Sequence, residues 1–137
     1  MCAVKKKAYP ARYPVKVRFS RSAAVGDYLF VSGCSGQTLE TFHASSNDLA
    51  EQTDIAMGKV RGALEEAGTP LNGIVKMVVY ITRPEDSSAV ENAIDDYFQR
   101  NAPELAEEPP AQTLVCIPGL HEPDLLVEVD VVAALRA

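Results

Sequence analysis

The chain has no apolar run as long as a membrane span, no C-x-x-C pair, no internal repeat and no low-complexity tract. Without such a run, no transmembrane helix is expected. Without C-x-x-C, and with His43 and His121 isolated from each other, no metal site can be built from sequence neighbours, and no metal or cofactor is expected. Met1–Ala11 lacks the apolar stretch of a secretory signal, and the cysteines are odd in number (Cys2, Cys34, Cys116). Free thiols in a reducing cytoplasm are therefore expected. Basic residues are in deficit: 13 Lys and Arg against 19 Asp and Glu give a net charge of −6. That balance argues against a nucleic-acid-binding face. The one basic cluster, Lys5-Lys6-Lys7, reads as part of a solvated terminal arm.

At 137 residues the chain fits one domain, 1–137, with an irregular or extended arm over 1–14. It is long enough to bury a core without staples. Val15–Ser22 alternates apolar and polar residues and predicts a half-buried strand. Gly26-Asp27 predicts a turn and Tyr28–Ser32 a hairpin partner. Asp48–Ala67 carries Leu49, Ile55, Ala56, Val60, Ala63, Leu64 and Ala67 at helical spacing. Asn47 or Asp48 can cap this helix, with Glu51 placed for a capping box, and Gly68 and Pro70 end it. Ile74–Thr82 is short and β-branched, and predicts a strand buried on both faces. A second helix runs from Asp86 or Ser87 to about Gln99, with Val90, Ile94, Tyr97 and Phe98 as its stripe. Pro103, Pro109 and Pro110 mark a long loop. Gln112–Ile117 and Leu125–Leu135 are the last strands.

The order β-β-α-β-α-β-β with two strong helices predicts an α+β two-layer sandwich, a mixed sheet with both helices on one face. Val127, Val129 and Val131 alternate along the last strand, and Ile74–Thr82 is apolar throughout. One helix layer covers one side of a sheet, so the periodicity reading puts an apolar face outside and predicts self-association, with Val129 as a residue whose charge substitution breaks it.

Pro109–Leu120, P-P-A-Q-T-L-V-C-I-P-G-L, resembles the signature strand of the YjgF/RidA family of reactive-intermediate deaminases. The deaminase pattern there is P-A-R followed by Ser or Thr; this chain has Gln112 in place of the Arg. Four further blocks resemble the family in the same order. Phe19–Gly33 (F-S-R-S-A-A-V-G-D-Y-L-F-V-S-G) matches the first hairpin, Asp54–Gly68 the first helix with its terminal A-G, and Ile74–Thr82 with Leu125–Ala133 the central strands. The resemblance implies a chorismate-mutase-like fold, a homotrimer and ligand clefts at subunit interfaces. It implies hydrolysis of imino or enamino compounds to oxo compounds and ammonia, with no cofactor.

Carried over residue by residue, the resemblance makes Gln112 and Glu128 the candidate catalytic positions. Phe19, Ser32, Gly33, Cys34, Glu91, Thr113 and Cys116 become candidate substrate contacts. Glu128 would orient water or a substrate nitrogen. An Arg offers a carboxylate a charged planar fork, whereas Gln112 offers one neutral amide, a loss of about 1–3 kcal/mol for a carboxylate ligand. Phe19 replaces a frequent Tyr, Cys34 a frequent Gln and Glu91 a frequent Asn. Several polar positions change together, which points to a changed ligand. Arg18 or Arg21 could return a positive charge. Cys34 and Cys116 are also candidate nucleophiles with His121 as base, though a buried Cys is usually a small hydrophobe. The expected function is a C–N hydrolase or deaminase of altered specificity. The alternative is a trimer that binds a small ligand without turnover. Ribonuclease activity, known for some relatives, is opposed by the charge and by the lack of a basic, aromatic-rich face.

Overall fold

A computed structural model describes residues 3–10 and 16–135. Six strands, β1 Lys5–Lys7, β2 Ser22–Val25, β3 Tyr28–Ser35, β4 Ile74–Ile81, β5 Ala111–Cys116 and β6 Val127–Ala134, form one sheet in the order β1-β2-β3-β6-β4-β5. Three helices, α1 Leu49–Glu66, α2 Ser87–Asn101 and the short α3 Pro103–Glu107, complete the α+β architecture. All ladders are antiparallel except β4–β5, whose parallel pairing needs the long crossover that α2 and α3 supply.

Local chemistry explains the boundaries. Gly26 has φ 57 at the first position of the two-residue turn between Val25 and Tyr28, the place where a type II′ hairpin turn demands glycine. Asp48 caps α1 by accepting the Glu51 N–H at 3.1 Å. The expected return bond from Glu51 runs instead through Ser46, whose hydroxyl donates to Glu51 Oε2 at 2.5 Å and accepts the Asp48 N–H at 3.2 Å. At the other end Gly68 sits at φ 74, with Thr69 N–H donating to Leu64 O at 2.9 Å and Gly68 N–H to Glu65 O at 3.0 Å, a Schellman closure.

Several expected elements differ. The strand expected over Val15–Ser22 begins only at Ser22; residues 16–21 run as irregular chain, and Val15 lies outside the described residues. Alternation alone cannot fix a strand when no neighbour is available to pair with it. Lys5–Lys7, read as a tail, pairs as an exposed edge strand with Ser22–Ala24. The loop expected after Pro103 begins with α3, which buries Leu105.

The core lies between the helices and one face of the sheet. Met57, Val60 and Leu64 of α1 and Val90, Ile94 and Phe98 of α2 meet Leu29, Val31, Met77, Val79, Ile81, Val127, Val129 and Val131. Full burial of each such side chain contributes on the order of 1.5–3 kcal/mol. The periodicity reading puts Val127, Val129 and Val131 on the uncovered side, and the structure reverses this: they face the helices. Period two identifies an apolar face but not which layer it meets. β4 is likewise not buried on both faces within the chain: Met77, Val79 and Ile81 are fully buried, while Lys76, Val78 and Tyr80 are half-exposed. On α1 the buried stripe also runs through Gln52, Thr53 and Met57.

Candidate functional site

β3 contains a bulge that shapes the open face. Val31 pairs with Val131 and Cys34 with Val129, so β3 uses one residue more than β6 over the same span. The extra length falls at Ser32-Gly33. Here the chain leans on the preceding segment: Ser32 N–H donates to Arg21 O at 3.0 Å, and its hydroxyl donates to Ser20 O at 2.6 Å.

Glu128 lies over this bulge. It sits on β6 between Ser35 of β3 and Tyr80 of β4, on the face away from the helices. A Cβ on Gly33 would stand 2.6 Å from Glu128 Oε2, so only glycine lets the carboxylate rest there. Burial pushes the Glu128 carboxyl above its ordinary value, Asp130 adds to this, and His121 and Lys59 oppose it. No donor among the described residues hydrogen-bonds to this carboxylate. Half-buried and without a hydrogen bond among the described residues, its oxygens are in a position to meet water or a ligand.

Lys59 closes the far end of β3. Its ammonium donates to Ser35 O at 2.8 Å and Gln37 O at 2.6 Å. Burial lowers its pKa, while Cys34 and Glu128 oppose the shift. Nothing in the apolar periodicity of α1 singles out this residue. Tyr80, beside Glu128, has its phenol raised by desolvation and by Asp130.

The other sequence-derived positions divide. Phe19 is 62% exposed and stacks edge-on against Tyr9 with ring centroids 5.7 Å apart. Phe19 and Ser32 line one cavity on the open face. Thr113 shares that face through the rung Thr113–Val78–Asp130, and its hydroxyl accepts from Lys76 Nζ at 2.7 Å. Gln112 does not join Glu128 within the chain. Its rung is Met77 and Val131, which face the helices, and its side chain stands exposed at the sheet edge. Cys116 is exposed on the same edge, opposite Ile81. Glu91 is on the exposed side of α2, whose other side buries Val90 and Ile94. Cys34 is buried, donates to Ser32 O at 3.3 Å, and has its thiol pushed up to about 11 by burial. A thiol held protonated in this way is a poor nucleophile at neutral pH. His121 is exposed on its turn, 3.9 Å from Glu122.

Sequence reasoning also missed Gln52. It is fully buried and uses its whole amide: Nε2 donates to Ser46 O at 2.9 Å and Asp124 O at 3.0 Å, and Oε1 accepts the Leu126 N–H at 2.8 Å. These bonds tie the loop before α1 to the chain entering β6, one turn ahead of Glu128. A polar residue on the buried side of an amphipathic helix was the available signal.

The sheet carries helices on one face and, on the other, the Glu128 carboxylate over a glycine bulge, and known proteins share this architecture. The family model described as endoribonuclease L-PSP matches residues 6–135, and the chain belongs to this family, which takes in the YjgF, RidA and RutC proteins. A RutC family protein of Pyrococcus abyssi is 30% identical over 115 residues, 84% of either chain. A crystal structure of a Pseudomonas aeruginosa protein of unknown function is 32% identical, with TM-score 0.80, covering 99% of this chain and 95% of that one. A 2-iminobutanoate/2-iminopropanoate deaminase of Dermatophagoides farinae is 21% identical over 85 residues, 62% of this chain and 66% of its own. Among the described residues no helix is long and apolar enough to cross a membrane, and no group of side chains could hold a metal ion.

Proposed function

We propose that the protein hydrolyses a C–N bond in a small imine or enamine, at sites completed between subunits of a homotrimer. The observation that carries this reading is Glu128. It is half-buried over Gly33, raised in pKa and without a hydrogen bond among the described residues. Such a group is suited to accept a proton from an attacking water and to pass it to a departing nitrogen. An imine carbon is already electrophilic, so a positioned water and one proton carrier supply most of what the reaction needs. In balance, water adds to the carbon of the imine, the proton goes to nitrogen, the carbinolamine collapses, and ammonia and an oxo compound leave.

The trimer is supported by two features. Tyr28 and Phe30 are exposed on the open face beside half-buried Val78 and Val132. Gln112, whose amide has no hydrogen bond among the described residues, stands at the sheet edge turned away from the Glu128 of its own chain. In a closed assembly Gln112 of one subunit would complete the cleft of another and bind a carbonyl, amide or hydroxyl. A nuclease reading, which the family model's description carries, is opposed by the net charge of −6. The test is ammonia release from a panel of imines, enamines and cyclic amides. We expect turnover on at least one neutral or extended member and weak turnover on 2-aminoacrylate-type imino acids. Gln112→Arg is expected to gain affinity for small carboxylates. No ammonia from any member would leave a binding protein.

A further inference from the structure

The cavity on the open face has about 470 Å³ of space, within the roughly 300–1,000 Å³ of small-molecule sites. It is lined by the apolar Phe19 and Phe30, by Ser20 and Ser32, and by the solvent-exposed Lys6 and Arg18. Four of the five described arginines have a carboxylate partner: Arg21 with Glu66 at 3.6 Å, Arg61 with Glu65 at 3.0 Å, Arg83 with Asp86 at 2.7 Å and Arg100 with Asp54 at 2.7 Å. Arg18 is the described arginine without one, and the Lys6 ammonium likewise has no carboxylate partner among the described residues. Arg21 is additionally fixed on the far side, its guanidinium against Gly62 of α1. In a chain of net charge −6, two cations lining one aromatic-walled cavity without carboxylate partners among the described residues favour an anion there.

We propose that this cavity binds a small carboxylate with an aromatic or extended apolar body, its anionic end held by Arg18 and Lys6. Register gives the ligand a direction. Lys6, Ala23, Phe30 and Val132 form one rung across the open face, and Glu128 lies four residues along β6 from Val132, roughly 13 Å of strand. Ser32, also in the lining, adjoins the glycine under Glu128. A carboxylate held by Lys6 on its rung is separated by several bonds from a centre within reach of Glu128, which favours a longer molecule over a three- or four-carbon imino acid. Binding stands by itself; that the bound molecule is the substrate rests on the C–N hydrolysis proposed above.

The experiment is isothermal titration of the full chain with phenylacetate, 3-phenylpropionate and hexanoate, and with 3-phenylpropanamide as the neutral match. At least one carboxylate is expected to bind about tenfold or more tightly than the amide, and added salt to shrink that preference. Arg18→Gln, at an exposed position, should remove the preference at unchanged melting temperature; Glu128→Gln should keep it. Equal binding of carboxylate and amide would overturn the proposal. So would no binding of any carboxylate at millimolar concentration, or an Arg18→Gln protein that keeps the preference. A single-stranded RNA oligonucleotide that displaces the carboxylate with higher affinity would also overturn it, in favour of a nucleic-acid site. Carboxylate binding without ammonia release from any imine would uphold the cavity and remove the hydrolase reading alone.

Discussion

Along β6, Val127, Val129, Val131 and Ala133 are at most 2% exposed against the helices, whereas their neighbours Glu128, Asp130 and Val132 are half-buried on the other face. The first set explains why the chain folds. Its burial removes apolar surface from water and leaves no polar group behind. The second set works against folding. The Glu128 carboxylate is desolvated, lies near Asp130, and gains no hydrogen bond among the described residues. A valine there would be favoured on stability grounds alone. A carboxylate held at such a cost is a candidate for function, which is what the proposed hydrolysis assigns to it.

The largest contrast between the faces comes from one charge placed on each. Val129→Lys buries an unpaired ammonium among Met57, Val79 and Cys34 neighbours of the core, and a loss on the order of 4 kcal/mol or more is expected, seen as unfolding or insolubility. Val132→Lys should keep its circular dichroism spectrum and lose the proposed trimer in light scattering. If both variants fold alike, the assignment of the faces is wrong.

Gln52→Leu comes next. It removes three hydrogen bonds at a site of no exposure and strands the Leu126 N–H and two carbonyls. A loss of about 2–4 kcal/mol is expected in chemical denaturation, with turnover lowered through displacement of the chain entering β6.

Gly33→Ala sharpens the comparison on the open face. The new methyl must displace a carboxylate oxygen 2.6 Å away. Because that oxygen ends a flexible side chain, the melting temperature should move little, within about 1 kcal/mol of stability, while turnover falls at least tenfold. A protein destabilised as much as Gln52→Leu would place Gly33 in the fold rather than the site.

The smallest effect is on pH dependence. The folded-state pKa of Glu128 is raised above 4.5, so the native state holds this proton more tightly than the unfolded chain does. Its contribution to stability is fully present below pH 4.5 and is lost as pH rises through the raised value. Glu128→Gln is therefore expected to melt slightly higher than the parent at pH 7 and no higher at pH 4. A lower melting temperature at pH 7 would mean that the charge supports the fold.

Much of the fold was legible because periodicity and punctuation agree. Asp48, Gly68 and Pro70 bound α1 to within a residue, and Gly26-Asp27 gives the hairpin its register. The strand expected before Ser22 failed because pairing, not alternation, decides strand ends, and β1 takes its partner from 22–24. The side on which Val129 faces was not legible, since period two is blind to which layer covers which face. In the candidate site, Glu128, Gly33, Ser32 and Phe19 could be named from the resemblance. Lys59 and Gln52 could not, because each acts through backbone carbonyls from distant segments that only folding brings together.

The most direct measurement of the central claim is steady-state ammonia release by the parent protein and by Glu128→Gln, on whichever imine or enamine of the panel turns over fastest. Glutamine keeps the shape but cannot accept and return a proton. A fall in kcat of about 10²–10⁴ is predicted, with the trimer and the affinity for the carboxylate end of the ligand retained. Turnover unchanged within about twofold would contradict the account and leave Glu128 as an ordinary residue on a half-buried sheet face.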